Sequence, residues 1–188
     1  MKSLRLAVAG AFALAALAYP ALAADDDYLT IQLKDGPVVI ELLPEAAPKH
    51  VEQIKALAAK GEYDNVAFHR VIEGFMAQTG DVEFGDMEDG FTPGRAGTGG
   101  SDLPDLPAEF SQVPFERGTV GMARSQDPDS ANSQFFIMFD EGSFLNGQYT
   151  VVGKVVSGME NVDKIKRGEG GNGEVSDPDR MIKVSVGK

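Results

Sequence analysis

Alternating apolar and polar residues predict β-strands along most of this chain. Apolar Leu29, Ile31 and Leu33 alternate with polar neighbours, and a similar pattern returns between residues 38 and 42. Asp35-Gly36 lies between the two runs and is typical of a tight hairpin turn. Apolar patterning of the same kind predicts six further strands, at residues 66–72, 75–79, 118–123, 134–139, 150–156 and 181–186.

Two helices are predicted between these strands. Pro48 suits the first turn of a helix, apolar residues recur at helical spacing from residue 51 to residue 58, and Gly61 is suited to end it. The residues 157–160, Ser-Gly-Met-Glu, match a capping box and predict a second helix that begins at Ser157.

The order of these elements predicts a mainly β fold. No strand–helix–strand alternation runs through the chain, which disfavours a doubly wound parallel sheet. Eight short antiparallel strands can close into a small barrel filled by its own side chains. We therefore expect a closed eight-stranded antiparallel β-barrel capped by two α-helices.

The first 23 residues have the pattern of a signal peptide. Lys2 and Arg5 precede an apolar run over residues 6–22, and Ala21-Leu22-Ala23 forms a small-x-small cleavage site. The alternative is a membrane anchor, but the run is only just long enough to span a bilayer and no positive charge follows it. We expect residues 1–23 to be removed, leaving a domain of residues 24–188 in a bacterial periplasm.

Composition narrows the partners and the chemistry. The 188 residues are 43% apolar and carry a net charge of -12, which becomes -14 without the two basic residues of the leader. Nucleic acid and anionic membranes are poor partners for so acidic a chain. With two histidines, no cysteine and no Gly-x-Ser-x-Gly elbow, we expect no metal, no cofactor and no serine nucleophile.

One arginine stands out as a candidate for binding. Arg70 lies inside an otherwise apolar strand pattern, and an arginine is rarely buried without something to grip. The strand predicted at 134–139 places Phe135, Ile137 and Phe139 on one face and Gln134, Phe136 and Met138 on the other. The second face could bind a small apolar ring with a polar backbone beside it, or it could be a buried strand face with one satisfied glutamine.

Several motifs, in order along the chain, resemble those of the cyclophilin-type peptidyl-prolyl isomerases. They are Phe-His-Arg at 68–70, Gly-Phe-Met-x-Gln-x-Gly-Asp at 74–81, Gly-Thr-Gly-Gly at 97–100, Gly-Met-Ala at 121–123, Ser-Gln-Phe-Phe-Ile at 133–137 and Phe-Leu-Asn-Gly at 144–147. The resemblance extends from about residue 29 to residue 186. It implies an eight-stranded antiparallel barrel with two capping helices, in agreement with the elements predicted above.

The resemblance also implies roles for individual residues. Arg70 matches the catalytic arginine, and Gln78 and Gln134 match substrate-binding amides. Gln78 is expected to act with Arg70 in catalysis, by holding the arginine or the substrate carbonyl in place. Ala123 and Arg124 match positions whose backbone lies along the substrate. The remaining matches are walls of the proline pocket and its rim: Phe75, Met76, Phe136, Phe144, Leu145 and Tyr149.

The resemblance implies that the chain accelerates rotation about X-Pro bonds in exported polypeptides. Such a monomeric enzyme needs no cofactor, and its partners are unfolded or flexible chains that contain proline. A chaperone that binds proline segments in the same groove without catalysis is the alternative, although binding alone would not need Arg70. A lipocalin-like carrier would need a hollow barrel, which the large inward residues of strand 134–139 oppose.

Four positions depart from the pattern common in the family. Phe144 stands in place of tryptophan, Tyr149 in place of histidine, Glu73 in place of proline and Arg124 in place of asparagine. Phenylalanine lacks the indole donor, so we expect weakened binding of cyclosporin. Tyr149 keeps an aromatic wall with a polar tip, and the backbone role of position 124 does not depend on its side chain.

Overall fold

The computed structural model describes residues 25–188, so the predicted signal peptide lies outside the described residues. Eight strands form one sheet in which every pairing is antiparallel. The sheet order is β3-β4-β6-β5-β7-β2-β1-β8. The strands are β1 (Tyr28–Leu33), β2 (Gly36–Leu42), β3 (Arg70–Ile72), β4 (Met76–Thr79), β5 (Thr119–Met122), β6 (Phe135–Met138), β7 (Val151–Ser157) and β8 (Lys183–Val186).

The eight antiparallel strands are confirmed, but the predicted closure of the barrel is wrong. Strands β3 and β8 stand at the two edges of a curled sheet and do not pair with each other. The gap is crossed by single contacts between irregular segments, such as the hydrogen bonds from Phe68 N–H to Asp179 O (2.8 Å) and from Met181 N–H to Val66 O (2.9 Å).

The edge stays open because β3 and the residues just before it share their backbone groups among several partners. Ala67 donates to Gly85 O, Phe68 donates to Asp179 O, and Val71 donates to Gly173 O. A continuous ladder needs successive residues to pair with one strand. The strand predicted at 66–72 therefore exists only over Arg70–Ile72, and the strand predicted to begin at residue 181 begins at Lys183.

The first predicted helix is present as expected, whereas the second differs from its prediction. Helix α1 (Pro48–Lys60) has Pro48 in its first turn and ends at Gly61, which is left-handed at φ 78°. Helix α2 (Met159–Val162) is only four residues long. Two three-residue 3₁₀ helices lie at Asp25–Asp27 and Ser143–Leu145. In the described part of the chain, no helix has the length and apolar character needed to cross a bilayer.

The capping box predicted at Ser157 is wrong. Ser157 is the last residue of β7, and the cap of α2 is Gly158, in the left-handed region at φ 83°. A Cβ at this position would lie 2.1 Å from the carbonyl oxygen of Pro37, so the chain enters α2 where only glycine fits.

The two faces of β6 separate two apolar clusters, as the alternation predicts. Phe135, Ile137 and Phe139 lie in the main core, which fills the inside of the curled sheet. Phe136 and Met138 lie in a second cluster on the opposite face. The large buried residues of the main core pack the inside of the sheet, as the isomerase resemblance implies. A ligand carrier would need a hollow interior instead.

Candidate active site

A cavity of about 240 Å³ opens on the face of the sheet that carries Phe136. Ten of the eleven predicted site residues line it, and the eleventh, Gln134, is hydrogen-bonded to one of them, Gln78. We call this space the proline cavity. The lining residues are Arg70, Phe75, Met76, Gln78, Ala123, Arg124, Phe136, Phe144, Leu145 and Tyr149.

Strand register brings the polar and apolar parts of this site together. Arg70 is paired with Gln78 across β3 and β4, and Gln78 is paired with Phe136 across β4 and β6. Because directly opposed residues share a face, these three side chains stand in a row. Gly121 lies opposite Phe136 on β5, and a Cβ there would lie 2.7 Å from that ring. Glycine therefore gives the phenylalanine ring its room.

Arg70 is held by neutral groups. Its Nη1 donates to Gln78 Oε1 at 3.2 Å, and its Nε donates to the carbonyl oxygen of Asn172 at 2.9 Å. No carboxylate within residues 25–188 forms an ion pair with it. Burial lowers the pKa of the guanidinium, which nevertheless stays charged at any ordinary pH. The positive charge is thus fixed in place beside an apolar cavity without being neutralised.

A chain of hydrogen bonds through Gln134 fixes the orientation of the Gln78 side-chain amide. Gln78 Nε2 donates to Gln134 Oε1 at 3.0 Å, and Gln134 Nε2 donates to the carbonyl oxygen of Gly99 at 2.8 Å. Each amide accepts on the side of Arg70 and donates on the other side. This amide relay therefore turns the oxygen of Gln78, and not its NH₂ group, toward the guanidinium.

Asp81 supports the far end of the relay, a role that sequence reasoning missed. Its buried carboxylate accepts four backbone N–H groups: Glu83 at 3.1 Å, Phe84 at 2.9 Å, Gly97 at 2.6 Å and Gly99 at 3.0 Å. It thereby joins the end of β4 to the turn that carries the carbonyl oxygen of Gly99. The available signal was an acidic residue two positions after a predicted strand and before a glycine-rich loop.

The opposite side of the cavity is aromatic. The rings of Phe136 and Tyr149 meet edge to face with centroids 5.9 Å apart, and Phe75 lies 5.6 Å from Phe144. Phe144 is 64% exposed at the rim. The guanidinium of Arg124 lies 4.3 Å from the centre of the Tyr149 ring.

The Arg124 side chain stabilises the part of the site that carries Tyr149. Its Nη2 donates to the carbonyl oxygen of Gln148 at 2.9 Å, and its Nη1 donates to that of Ser125 at 2.9 Å. With the ring contact, these bonds fix Tyr149 in place as a wall of the cavity. The backbone role expected for positions 123 and 124 stays a prediction.

Glu73, whose effect the sequence did not predict, is paired. Its carboxylate accepts from Nε of Arg167, and the Arg167 guanidinium lies 4.0 Å from the centre of the Phe139 ring. The extra acidic charge near the rim is therefore neutralised locally. The pair also ties the turn before Phe75 to the segment that follows α2.

These features suit a peptide that presents a small apolar ring beside a backbone amide. The walls can hold the ring, and a preorganised cation stands where charge on the amide can be stabilised. The described residues contain no group of three or more histidine, aspartate or glutamate side chains that could hold a metal ion.

Comparison with known proteins assigns this fold and site to a class. The family model described as cyclophilin type peptidyl-prolyl cis-trans isomerase/CLD matches residues 28–186. The chain therefore belongs to the cyclophilin-type peptidyl-prolyl cis-trans isomerases, the family whose motifs it was found to resemble.

Relatives and solved structures agree with this assignment. The chain is 64% identical over 185 residues to a probable peptidyl-prolyl cis-trans isomerase of Brucella suis, covering 93% of this chain and 94% of that protein. A cyclophilin structure from Hirschia baltica matches with a TM-score of 0.71 at 26% identity, over 87% of this chain and 74% of that one. A cyclophilin-type isomerase structure from Cryptosporidium parvum, in the presence of the dipeptide Ala-Pro, matches with a TM-score of 0.73 at 27% identity, over 86% of this chain and 99% of that one.

Proposed function

We propose that this cyclophilin isomerises X-Pro bonds in exported polypeptides and that Arg70 is its catalytic group. The supporting observation is the fixed, unneutralised guanidinium of Arg70 beside an apolar cavity. The proposed substrates are unfolded or flexible chains, which this protein meets as a monomer in the periplasm. Neither nucleic acid nor, after removal of residues 1–23, a membrane is a proposed partner.

The mechanism follows from what rotation does to the amide. Rotation about a peptide bond has a barrier of roughly 20 kcal/mol, and no bond is made or broken. As the C–N bond loses its double-bond character, the proline nitrogen becomes pyramidal and gains a lone pair. A hydrogen bond from Arg70 to this nitrogen, or to the carbonyl beside it, stabilises the twisted amide more than the planar one.

The remaining site residues have two separate roles. Phe75, Met76, Phe136 and Leu145 hold the proline ring while the carbonyl on its N-terminal side turns. Gln78, oriented by Gln134, keeps Arg70 in a single position, so little reorganisation is needed at the transition state.

Catalysis is favoured over a purely chaperone function. A peptide-binding groove would need only the apolar walls, whereas this site holds a cation through two dedicated hydrogen bonds, and the family is one of isomerases. A protease-free measurement of cis–trans exchange in a proline tetrapeptide tests this. Peptide binding with no acceleration of exchange would favour the chaperone.

The proposed periplasmic location rests on residues 1–23 alone. Mass spectrometry of the protein isolated from its native host should find a chain that begins at Ala24. A full-length product that remains in the cytoplasm would refute export.

A further inference from the structure

A glycine-rich hairpin carries the carbonyl group that holds Arg70. Residues 168–174, Gly-Glu-Gly-Gly-Asn-Gly-Glu, fold back on themselves in a turn. The hairpin is tied to β3, because the carbonyl oxygen of Gly173 accepts from the N–H of Val71 at 2.7 Å. Next to this bond, the carbonyl oxygen of Asn172 accepts from Nε of Arg70 at 2.9 Å. Any change in the backbone at Asn172 therefore acts directly on the guanidinium.

The glycine that follows Asn172 makes this asparagine chemically reactive. The side-chain amide carbon of an asparagine can be attacked by the backbone nitrogen of the next residue, and glycine has no Cβ to obstruct the approach. Asn172 is exposed, and its Nδ2 forms no hydrogen bond within residues 25–188. Its Oδ1 accepts from the N–H of Glu174 at 3.4 Å, which is beyond the usual range of such bonds. The side chain is therefore free to turn toward the nitrogen of Gly173.

A second Asn-Gly pair in the chain lacks this freedom. Asn146 precedes Gly147, and both residues are exposed. The Oδ1 of Asn146, however, accepts from the backbone N–H of Phe115 at 2.8 Å, a bond of ordinary length that holds the side-chain amide in one orientation. The other three asparagines are followed by valine or serine, whose Cβ atoms hinder the attack.

We propose that Asn172-Gly173 is a site of spontaneous deamidation whose main product places a carboxylate on the catalytic arginine. In the first step, a bond forms between the Gly173 nitrogen and Cγ of Asn172. The bond from Cγ to Nδ2 breaks, and ammonia leaves with the proton of the Gly173 N–H, so that a cyclic imide remains. In the second step, water opens the imide.

The direction of opening decides what Arg70 meets. When the bond from the Gly173 nitrogen to the former main-chain carbonyl carbon breaks, the product is isoaspartate. Its chain continues through Cγ, and the former main-chain carbonyl becomes a free carboxylate. This carboxylate contains the oxygen to which Arg70 Nε donates. Opening the other way gives aspartate, which keeps the neutral carbonyl group at Arg70.

The isoaspartate changes the electrostatics of the site. The guanidinium of Arg70, which forms no ion pair among the described residues, then gains one. The isoaspartyl form should lose roughly ten- to a hundredfold in kcat/KM, less than Arg70→Ala, because the cation is neutralised and not removed. The proposal rests on the isomerase function above, since this loss is expected only if Arg70 stabilises the twisted amide.

Ageing of the purified protein tests the chemistry without any measurement of turnover. The protein is kept in warm neutral buffer and sampled over time, beside a frozen portion. Peptide mapping by mass spectrometry should find the mass gain of an amide-to-acid exchange at Asn172 before it appears at Asn146. A methyltransferase specific for isoaspartate should label the peptide that contains residue 172. An intact amide at Asn172, or a faster reaction at Asn146, would overturn the proposal.

The functional consequence is measured on the separated product. The deamidated protein carries one more negative charge, so anion exchange separates it from its parent. Its kcat/KM should fall by the roughly ten- to a hundredfold given above, with peptide Kd nearly unchanged. The ¹⁵N resonance of Arg70 Nε should shift, whereas that of Arg117, which is paired with Asp163, should not. Full turnover of the isoaspartyl form would overturn the proposal.

Repair and two matched variants separate the new carboxylate from a general loss of structure. The methyltransferase with S-adenosylmethionine converts isoaspartate to aspartate, which returns a neutral carbonyl group to Arg70 and should recover most of the lost kcat/KM. Asn172→Gln closes such a ring far more slowly and should keep its own starting activity through the incubation. Asn146→Gln should decay as the wild type does. Decay of Asn172→Gln at the wild-type rate, or no recovery on repair, would refute the proposal.

Failure of the proposed function has a different signature. Normal turnover in Arg70→Ala would show that Arg70 is not the catalytic group. The mass gain at Asn172 and the shifted resonance of Arg70 Nε would still report the deamidation and the new carboxylate.

Discussion

The two sides of the proline cavity are built from different kinds of structure. Arg70, Gln78 and Phe136 come from three adjacent strands, in a register that fixes their spacing. Phe144 and Tyr149 come from the connection between β6 and β7, which holds only a three-residue 3₁₀ helix. The group proposed to stabilise the twisted amide, Arg70, lies on the sheet side, where strand register can position it to within a fraction of an ångström, whereas the loop side supplies exposed aromatic surface.

This difference accounts for two of the four departures from the family pattern that the sequence predicts. Phe144 and Tyr149 both lie on the loop side, and there a changed ring alters the wall without disturbing a strand. On the sheet side, Arg70 is connected through two amides and Gly99 to the buried carboxylate of Asp81. Substitutions on the sheet side should therefore affect turnover or folding strongly, and substitutions on the loop side should affect affinity mildly.

The largest expected effect is that of Arg70→Ala. Deleting one preorganised donor costs about 3–4 kcal/mol, so kcat/KM should fall roughly a hundred- to a thousandfold. Arg70→Lys should also lose much activity, because a flexible ammonium cannot replace the planar fork. Peptide Kd should change far less, since the apolar walls remain, and the melting temperature should be almost unchanged.

Arg117→Ala is the control for removing a positive charge. Arg117 is exposed and paired with Asp163, away from the cavity lining, so its loss should leave turnover as it was. Near-normal turnover in Arg70→Ala would refute the catalytic role of this arginine.

The next effect is on folding. Asp81→Ala leaves four backbone N–H groups without their charged acceptor, and we expect the free energy of unfolding to fall by about 3–4 kcal/mol. Because the relay ends at Gly99, kcat/KM should also fall more than peptide affinity. Denaturant unfolding and the protease-free assay measure the two effects.

Asp86→Ala is the matched control for Asp81. Asp86 accepts from two backbone N–H groups, those of Glu88 and Asp89, in the same loop but in contact with solvent. Its loss should lower the free energy of unfolding by about 1 kcal/mol or less. Equal destabilisation by the two substitutions would mean that burial of the Asp81 carboxylate has no special importance.

A third effect is the dependence of stability on pH through His69. Burial is the main cause that lowers the pKa of His69 in the folded chain from 6.5 to about 4. Between these two pH values, the unfolded chain binds a proton at His69 that the folded chain does not bind. His69 therefore costs no stability above pH 6.5 and destabilises the fold as the pH falls toward 4, by at most about 3 kcal/mol.

The comparison with His69→Gln isolates this contribution from that of the carboxylates. Between pH 7 and pH 4, the wild-type protein should lose up to about 3 kcal/mol more free energy of unfolding than the variant. Parallel curves of stability against pH for the two proteins would show that His69 titrates normally in the folded state.

The sequence predicted the strand residues of the site better than the distant contacts that hold them in place. Period-two alternation put Phe136 on the face opposite Phe135, and strand pairing then placed it beside Gln78. Local patterns could not show that Glu73 pairs with Arg167, 94 residues away, or that the backbone before β3 divides its bonds among several segments. Such contacts depend on how distant segments meet, which one strand's periodicity does not contain.

Short motifs misled where a tertiary contact overrides local preference. Ser157 has the sequence of a helix cap, but pairing with β2 keeps it in β7. The close approach of Gly158 to Pro37 then sets the start of α2. Asp81 was visible in a motif, yet its four hydrogen bonds became apparent only when the loop from residue 82 to residue 99 was seen to fold back over it.

The smallest expected effect is on the loop side, at Phe144. Phe144→Trp restores the indole N–H that is common in the family at this position, and one added hydrogen bond is worth about 0.5–1.5 kcal/mol. Cyclosporin affinity should rise roughly three- to tenfold in a direct titration. The melting temperature should not change, because Phe144 is 64% exposed and lies outside the strands.

Phe110→Trp makes the same substitution at another exposed phenylalanine, one that does not line the proline cavity. It should leave cyclosporin affinity unchanged, so a gain confined to Phe144→Trp would assign the effect to the rim of the site. Both variants should keep kcat/KM within a few fold of the wild-type value, since Arg70 and its relay are untouched. A Phe144→Trp protein with unchanged cyclosporin affinity would show that the missing indole does not limit binding. A large loss of turnover in that variant would break the distinction itself, because the loop side would then take part in catalysis as directly as the sheet side does.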